Sequence, residues 1–159
     1  MDPDQLKSYV ITPCLAEVDM FSKSAVNLLA GTAAAESDLG QFVKQKGGGG
    51  ALGIYQMEPA TYRSIIYDYL YREEKKELSQ KILSFLHYRD YPDCNELVYN
   101  LKLSTIFARL RYWYVPEPLP EDDDVRGLAY YWKKYYNTHK GKGKEIDFIQ
   151  KYNQYVMHY

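Results

Sequence analysis

The stretch "KQKGGGGALGIYQMEP", residues 44–59, decides whether the chain folds as one domain or two. Its four consecutive glycines, residues 47–50, are typical of a flexible linker between domains. Only 46 residues precede them, and a piece of that size is marginal for a hydrophobic core of its own. We therefore expect a single domain over residues 1–159, in which the glycines belong to a loop.

The same glycines match the dinucleotide fingerprint Gly-x-Gly-x-x-Gly at Gly48, Gly50 and Gly53. That fingerprint requires a strand before it and a helix that opens within it. Here a predicted helix and a polar loop come first, so the sequence does not predict a nucleotide site. The remaining interpretation is that the glycines let the backbone approach a ligand.

The composition is that of an ordinary globular protein, with 46% hydrophobic and 26% charged residues in a chain of 159. A net charge of −1 gives no general argument for nucleic acid or membranes as partners. Tyrosine is unusually frequent, with 18 Tyr against 5 Phe. Because each Tyr ring joins an apolar body to a polar hydroxyl, most should pack at helix edges, and such rings also suit the faces of carbohydrates.

Export and metal binding both lack a sequence signal. The N-terminal "MDPDQLKSYV" has no apolar signal region and no run approaches 18 apolar residues, so we expect no signal peptide, no membrane insertion and synthesis in the cytoplasm. The chain has only two cysteines, Cys14 and Cys94, which are too few for a disulfide framework. The histidines have no ligand-like spacing with each other or with the cysteines, so we expect neither a metal nor another cofactor; they are His87, His139 and His158.

Apolar residues recur at helical spacing, and no segment alternates as a strand would, which predicts a mainly α fold. Thr12-Pro13 predicts the start of a helix that ends near Phe21, and Ser22 or Ser24 is expected to cap the next helix. The helix that follows Ser22 or Ser24 should end near residues 39–40. Further helices are predicted to begin at residue 59 and after residues 122–124, and to span residues 73–87, 93–114 and 145–159. The segment 93–114 should be the longest helix or a kinked pair.

Glu36 is the first candidate for chemistry. It lies near the end of the small-residue helix "AVNLLAGTAAAES", where an alanine-rich face would partly desolvate a carboxylate. Desolvation raises the pKa of a carboxyl group and keeps a proton available near neutral pH, as a general acid requires. The alternative is that Glu36 is solvated, as most glutamates in a last helical turn are.

The combination of "ESDLG" with "GALGIYQMEPAT" resembles the SLT-type lytic transglycosylases of the lysozyme superfamily. In that family Glu-Ser at a helix end is followed, after a loop, by Gly-x-x-Gln-x-x-Pro-x-Thr. The matching residues here are Glu36, Ser37, Gly53, Gln56, Pro59 and Thr61. The segment "YYWKKYYNTHKGKG" is similar to the family's Ala-Tyr-Asn-Ala-Gly, with Tyr136 and Asn137 at matching positions, and "NLKLSTIFARLRYW" is similar to the helix beneath its cleft.

The resemblance covers about residues 15–140 and implies a lysozyme-like domain, of SLT or goose type, with the glycine-rich loop in the active-site cleft. It also implies cleavage of the β-1,4 bond between N-acetylmuramic acid and N-acetylglucosamine in peptidoglycan. Glu36 would protonate the glycosidic oxygen and then accept the proton of the muramic C6 hydroxyl as a 1,6-anhydro ring closes. The implied substrate-binding residues are Ser37, Gly53, Tyr55, Gln56, Glu58, Thr61, Tyr136 and Asn137.

Two departures from the family pattern keep alternatives open. Glu58 stands where the family often has methionine, and Thr138-His139 replace Ala-Gly. A water-using hydrolase of this fold would need a second carboxylate, from Glu58 or Asp38. Glu58 can equally serve as a helix N-terminal charge, and Asp38 should point away from Glu36. A non-catalytic virion or cell-wall-binding module of the same fold is a third interpretation.

The expected partners are peptidoglycan glycan strands, and the resemblance extends no further than that class. The basic stretch "KKYYNTHKGKGK" is explained by an anionic peptide stem or a solvated surface, so no nucleic acid is expected. An enzyme with this substrate and no export signal fits a bacteriophage lysin released at lysis, or a virion component carried with other virion proteins.

Overall fold

Prolines and short polar side chains mark most helix boundaries in the computed structural model, which describes residues 1–157 and leaves residues 158–159 outside the description. Within that range the protein is mainly α, as the sequence predicts, and strand-like pairing is limited to the isolated bridges Lys44–Leu52 and Leu52–Met57.

The helices are numbered along the chain. They are α1 over 3–17 (Pro3–Leu6, a π-helical turn at Lys7–Ile11, and Thr12–Glu17), α2 (Lys23–Ser37), α3 over 59–70 (Pro59–Ser64, then π-helical Ile65–Leu70), α4 (Lys76–Leu86), α5 (Leu101–Trp113), α6 over 125–137 (Val125–Trp132, then π-helical Lys133–Asn137) and α7 (Glu145–Tyr155). Short 3₁₀ helices at Glu73–Lys75 and Cys94–Val98 precede α4 and α5.

Helix α1 begins ten residues earlier than the sequence predicts, and Thr12-Pro13 lies inside it. The helix starts at Pro3, where the Asp2 side chain accepts a hydrogen bond from the Gln5 backbone N–H at 2.9 Å. A π-helical turn at Lys7–Ile11 lies just before Thr12-Pro13 and widens the helix, since the Thr12 N–H bonds to the Lys7 carbonyl five residues back. Because Pro13 has no N–H to donate, this local widening lets the helix continue past it. The predicted start at Thr12 is therefore wrong.

Helix α2 occupies the centre of the fold. Its N-cap is Ser22, whose hydroxyl accepts from the Ala25 N–H at 3.0 Å, so of the two predicted caps Ser22 is confirmed. The helix is buried on nearly every side, and a Cβ added to Gly31 would lie 2.3 Å from Cζ of Phe148 in α7. A residue without a side chain is therefore what lets α7 approach α2.

The predicted segment 93–114 is a kinked pair, since Asn100 separates the 3₁₀ helix Cys94–Val98 from α5 and caps α5 by accepting from the Leu103 N–H at 3.0 Å. Within the described residues α5 has 13 residues and is shorter than α1 and α2, which have 15 each. Asp124 caps α6 through the Gly127 N–H at 2.9 Å, as the acidic stretch predicts. The helix predicted over 145–159 is observed as α7, which ends at Tyr155; residues 156–157 are not helical, and 158–159 lie outside the described residues.

One hydrophobic core contains residues from both sides of the glycine-rich loop, among them Leu29, Ile54 and Ile106. Residues 47–50 themselves are exposed. The loop is thus a surface feature attached to a shared core. In the part of the chain that the structure describes, no helix combines the length and the apolar character needed to span a membrane.

Candidate active site

Glu36 lies in the last turn of α2, where α6 crosses it. Its carboxylate is partly buried, and its Oε1 accepts a hydrogen bond from the indole Nε1–H of Trp132 at 3.0 Å. Trp132 is itself only 2% exposed, so its ring cannot easily turn away. The candidate acid is therefore held in one orientation by a rigid donor from another helix.

Burial raises the pKa of Glu36 from 4.5 to about 7, and the Trp132 hydrogen bond, which favours the ionised form, offsets part of that rise. At neutral pH both the acid and the carboxylate are then present in comparable amounts. A group that must give up a proton and take one back needs a pKa near the working pH. The environment expected from the sequence for Glu36 is the one observed.

Two tyrosines lie near the carboxylate. Burial raises the pKa of Tyr136 well above its usual value, and the negative charge of Glu36 raises it further. Burial also raises the pKa of Tyr112, with a smaller contribution from Glu36. Both phenols therefore stay protonated. Tyr136 donates to the Tyr55 carbonyl at 2.7 Å, and the Tyr112 hydroxyl lies 2.8 Å from the Thr32 hydroxyl. These bonds fix the two rings beside the acid.

Ser37 fastens the glycine-rich loop to the end of α2. Its hydroxyl donates to the Ile54 carbonyl at 2.6 Å and accepts from the Gly40 N–H at 2.8 Å. Ser37 has no exposed surface, so it positions the loop instead of touching a ligand, unlike the predicted substrate contact.

Three other loop residues predicted to contact substrate make internal contacts. Gly53 has φ 77°, and a Cβ there would lie 2.2 Å from the Leu97 carbonyl oxygen, so the glycine is explained by packing inside the protein. The Gln56 amide donates to the Gly53 carbonyl at 2.8 Å. Tyr55 is 1% exposed, and its hydroxyl lies 3.2 Å from that of Thr105, so its side chain makes its contacts inside the protein.

The remaining predicted residues meet in one open cleft of about 630 Å³ between the start of α3 and the end of α6. Glu58 and Thr61 line it from α3, and Tyr136 and Asn137 line it from α6. Glu36 does not line this cleft directly. Tyr136 does, and it lies close enough to Glu36 for the charge of Glu36 to raise its pKa, so the acid lies next to a ring of the cleft lining.

The sequence interpretation missed Arg111 and Trp132. Arg111 lines the cleft together with Lys134 and Lys140, which belong to the basic stretch noted in the sequence, and the three make the lining basic. Trp132 lies four residues before Tyr136, on the same face of α6. That spacing is the signal that would have placed Trp132 near the acid.

Asp38 and Glu58, the two candidates for a second catalytic carboxylate, differ in where they lie. Asp38 has φ 51° just past α2, and its Oδ1 accepts from Lys151 Nζ of α7 at 2.5 Å, so it is held in an ion pair away from the cleft. Glu58 is exposed, lines the cleft and makes no capping hydrogen bond at the start of α3. Of the two, only Glu58 is placed to meet a ligand.

Lys133 organises the lip of the cleft. Its ammonium group donates to Asn137 Oδ1 at 2.6 Å, to the Thr138 carbonyl at 2.8 Å and to the Gly141 carbonyl at 3.0 Å. Thr138 has φ 65°, a left-handed conformation uncommon for a β-branched residue. The Asn137 amide oxygen is thus used within the protein, which leaves its NH₂ group for a ligand.

Within residues 1–157, no group of three or more His, Cys, Asp or Glu side chains is arranged to hold a metal ion. Comparison of the chain with protein-family models, with curated proteins and with solved structures finds no match. The residues described above therefore carry the functional argument by themselves.

Proposed function

We propose that this protein is a lytic transglycosylase of lysozyme-like fold that cleaves the N-acetylmuramic acid–N-acetylglucosamine bond of peptidoglycan. The observation that carries the proposal is the state of Glu36, a partly buried carboxyl group with a pKa of about 7 and a fixed Trp132 donor. It stands at the helix end where the family motif has its acid.

The reaction needs one carboxyl group in two roles. Protonated Glu36 donates its proton to the glycosidic oxygen, and the bond from that oxygen to muramic C1 breaks. The muramic C6 hydroxyl then bonds to C1 through its oxygen and loses its proton to the Glu36 carboxylate. No water is consumed, and the acid is regenerated.

The cleft supplies groups suited to this substrate. Thr61 and Asn137 offer hydrogen bonds to sugar hydroxyl and acetamido groups. Arg111, Lys134 and Lys140 suit the carboxylates of the peptide stems that muramic acid carries. Tyr136 acts as a positioning residue that lines the cleft beside Glu36.

A hydrolase is the second candidate, and the exposed Glu58 in the cleft favours it. A hydrolase would use that carboxylate to activate water or to attack the sugar. The ion pair of Asp38 with Lys151 argues against Asp38 in the same role.

Digestion of purified sacculi, followed by mass spectrometry of the released muropeptides, tests these candidates. The transglycosylase should give 1,6-anhydromuramic ends with wild-type protein and with Glu58→Gln, and no products with Glu36→Gln. Reducing ends that disappear in Glu58→Gln would instead establish the hydrolase. If Glu36→Gln cuts as well as wild type, the role of Glu36 is wrong, and no products from any variant leaves a binding module.

A further inference from the structure

A second concavity lies on the neighbouring face of the protein, between α3 and the C-terminal end of α5. It is an open groove of about 700 Å³, larger than the cleft beside Tyr136. None of the residues that the sequence predicts to be catalytic or substrate-binding lines it. We call it the aromatic groove and define it by the rings of Tyr69, Trp113 and Tyr114.

These rings present flat apolar surface to solvent. Trp113 is 40% exposed and Tyr114 is 39% exposed, and the Tyr69 and Tyr114 ring centres lie 5.3 Å apart. The Arg109 guanidinium stacks on the Trp113 ring at 4.9 Å and supports the indole from within the protein, since Arg109 is buried. Exposed rings held in place by neighbours can bind a flat apolar face with little loss of side-chain entropy.

The charged residues of the groove balance. Asp68 and Glu74 contribute two negative charges, and Arg72 and Lys75 contribute two positive ones. Such a lining offers many hydrogen bonds without a net field, so it favours a neutral ligand rich in hydroxyl and amide groups. An anionic polymer such as single-stranded nucleic acid would require a basic lining instead.

The groove continues the cleft. Arg111 lines the cleft, and its guanidinium donates to the Tyr114 hydroxyl at 2.8 Å, which lines the groove. On the facing helix Thr61 lines the cleft and Ser64 lines the groove, three residues or about 4.5 Å further along α3. An extended ligand can therefore pass from one to the other.

We propose that the aromatic groove binds the neutral N-acetylglucosamine rings of a β-1,4-linked N-acetylhexosamine chain, in the same strand whose reactive bond lies at the cleft. The C–H faces of the pyranose rings stack on Trp113 and Tyr114, and the balanced charged side chains bind the hydroxyl and acetamido groups. The choice of glycan rests on the proposed function, while the groove's geometry does not.

Binding is measured by isothermal titration calorimetry in the Glu36→Gln background, so that no cleavage occurs. The probes are the hexamer and the dimer of β-1,4-linked N-acetylglucosamine. The hexamer should bind more tightly than the dimer, and Trp113→Ala should weaken hexamer binding roughly fivefold to tenfold and remove most of that excess. Trp113→Phe, which keeps a ring, should stay within about twofold of the parent.

Tyr99→Ala is the matched control, because Tyr99 is 73% exposed and precedes α5, about 20 Å along the helix from Trp113. It should leave hexamer affinity unchanged. In ¹H–¹⁵N spectra the Trp113 indole signal should shift on titration with the hexamer. The inference would be overturned if Trp113→Ala left the hexamer affinity unchanged. It would also be overturned if a single-stranded oligonucleotide bound more tightly than the hexamer and in a salt-dependent way.

The results distinguish the groove proposal from the proposed function. If the protein binds the hexamer through Trp113 but leaves sacculi intact, glycan binding in the groove is supported and transglycosylase activity is refuted. If the protein cuts sacculi and its hexamer affinity does not depend on Trp113, transglycosylase activity is supported and glycan binding in the groove is refuted.

Discussion

At the scale of single residues, the contact between Glu36 and Trp132 determines what the site can do. Burial raises the pKa of Glu36 and the indole N–H of Trp132 lowers it, and together they leave the pKa at about 7. The pKa of Glu36 therefore results from burial, which disfavours the carboxylate, and from the hydrogen bond, which favours it. A single substitution can change either effect.

Trp132→Phe removes the N–H donor and keeps an aromatic ring in the core. Because the lost bond stabilises the ionised form, the pKa of Glu36 should rise by about one unit. The alkaline limb of the cleavage profile should move to higher pH by the same amount, and ¹³C NMR titration of Glu36 gives the shift directly. Trp113→Phe, which does not touch Glu36, should leave the limb in place, and a shift to lower pH in Trp132→Phe would refute the argument.

Glu36→Gln should change how stability depends on pH. The folded-state pKa of about 7 lies above the unfolded value of 4.5, so between these pH values the folded state binds more protons and wild-type stability falls as pH rises. Gln cannot ionise and escapes this loss. Urea unfolding should therefore show Glu36→Gln gaining stability over wild type as pH rises, by up to roughly 3 kcal/mol above pH 7. A difference that does not vary with pH would show that Glu36 is solvated.

At the scale of elements, the glycine-rich loop divides into two parts with different physical demands. Residues 47–50 are exposed, and nothing lies near the Cβ positions of Gly47 and Gly48. The segment from Leu52 to Met57 is tightly packed, joined by a bridge at its ends and tied to α2 through Ser37. Freedom at the first part and close packing at the second explain why one stretch needs so many glycines.

Gly53→Ala and Gly48→Ala test this division, since both glycines have positive φ, 77° and 85°. Gly48→Ala should cost about 1 kcal/mol from backbone strain alone. Gly53→Ala should cost about 3 kcal/mol, because its Cβ also meets the Leu97 carbonyl. Chemical denaturation of both variants measures the difference, and equal losses would mean that the Leu97 contact relaxes freely.

At the scale of the whole molecule, the approach of α7 to α2 sets the geometry around Glu36. Gly31 lies beneath Phe148, and Phe148 in turn packs on Trp132 with ring centres 5.6 Å apart. The Asp38–Lys151 ion pair joins the same two helices at the other end. The last helix is thus a support for the ring that holds the acid.

Gly31→Ala should destabilise the protein by about 1 to 2 kcal/mol, since the added methyl group overlaps Phe148 by more than the gain in helix propensity repays. Phe148→Leu removes the overlapping end of the ring, so in a double-mutant cycle it should cost less in the Gly31→Ala background, with a coupling of about 1 kcal/mol. Additive free energies of unfolding would mean that the two residues do not press on each other.

The sequence by itself determined the helical character, a cap for α2 at Ser22 or Ser24, and the acidic start of α6. These rest on short-range physics, because helical periodicity and side-chain capping involve residues within about four positions of each other. The same reasoning misplaced the start of α1, where a π turn carries the helix past Pro13. Glu36 became the candidate acid through the resemblance of its motif to a known family.

Tertiary structure alone decided which side chains meet. Trp132 lies 96 residues from Glu36, and Lys151 lies 113 residues from Asp38. It also decided that Gly53 and Tyr55 face the protein interior. Such contacts depend on how helices pack against one another over long chain separations.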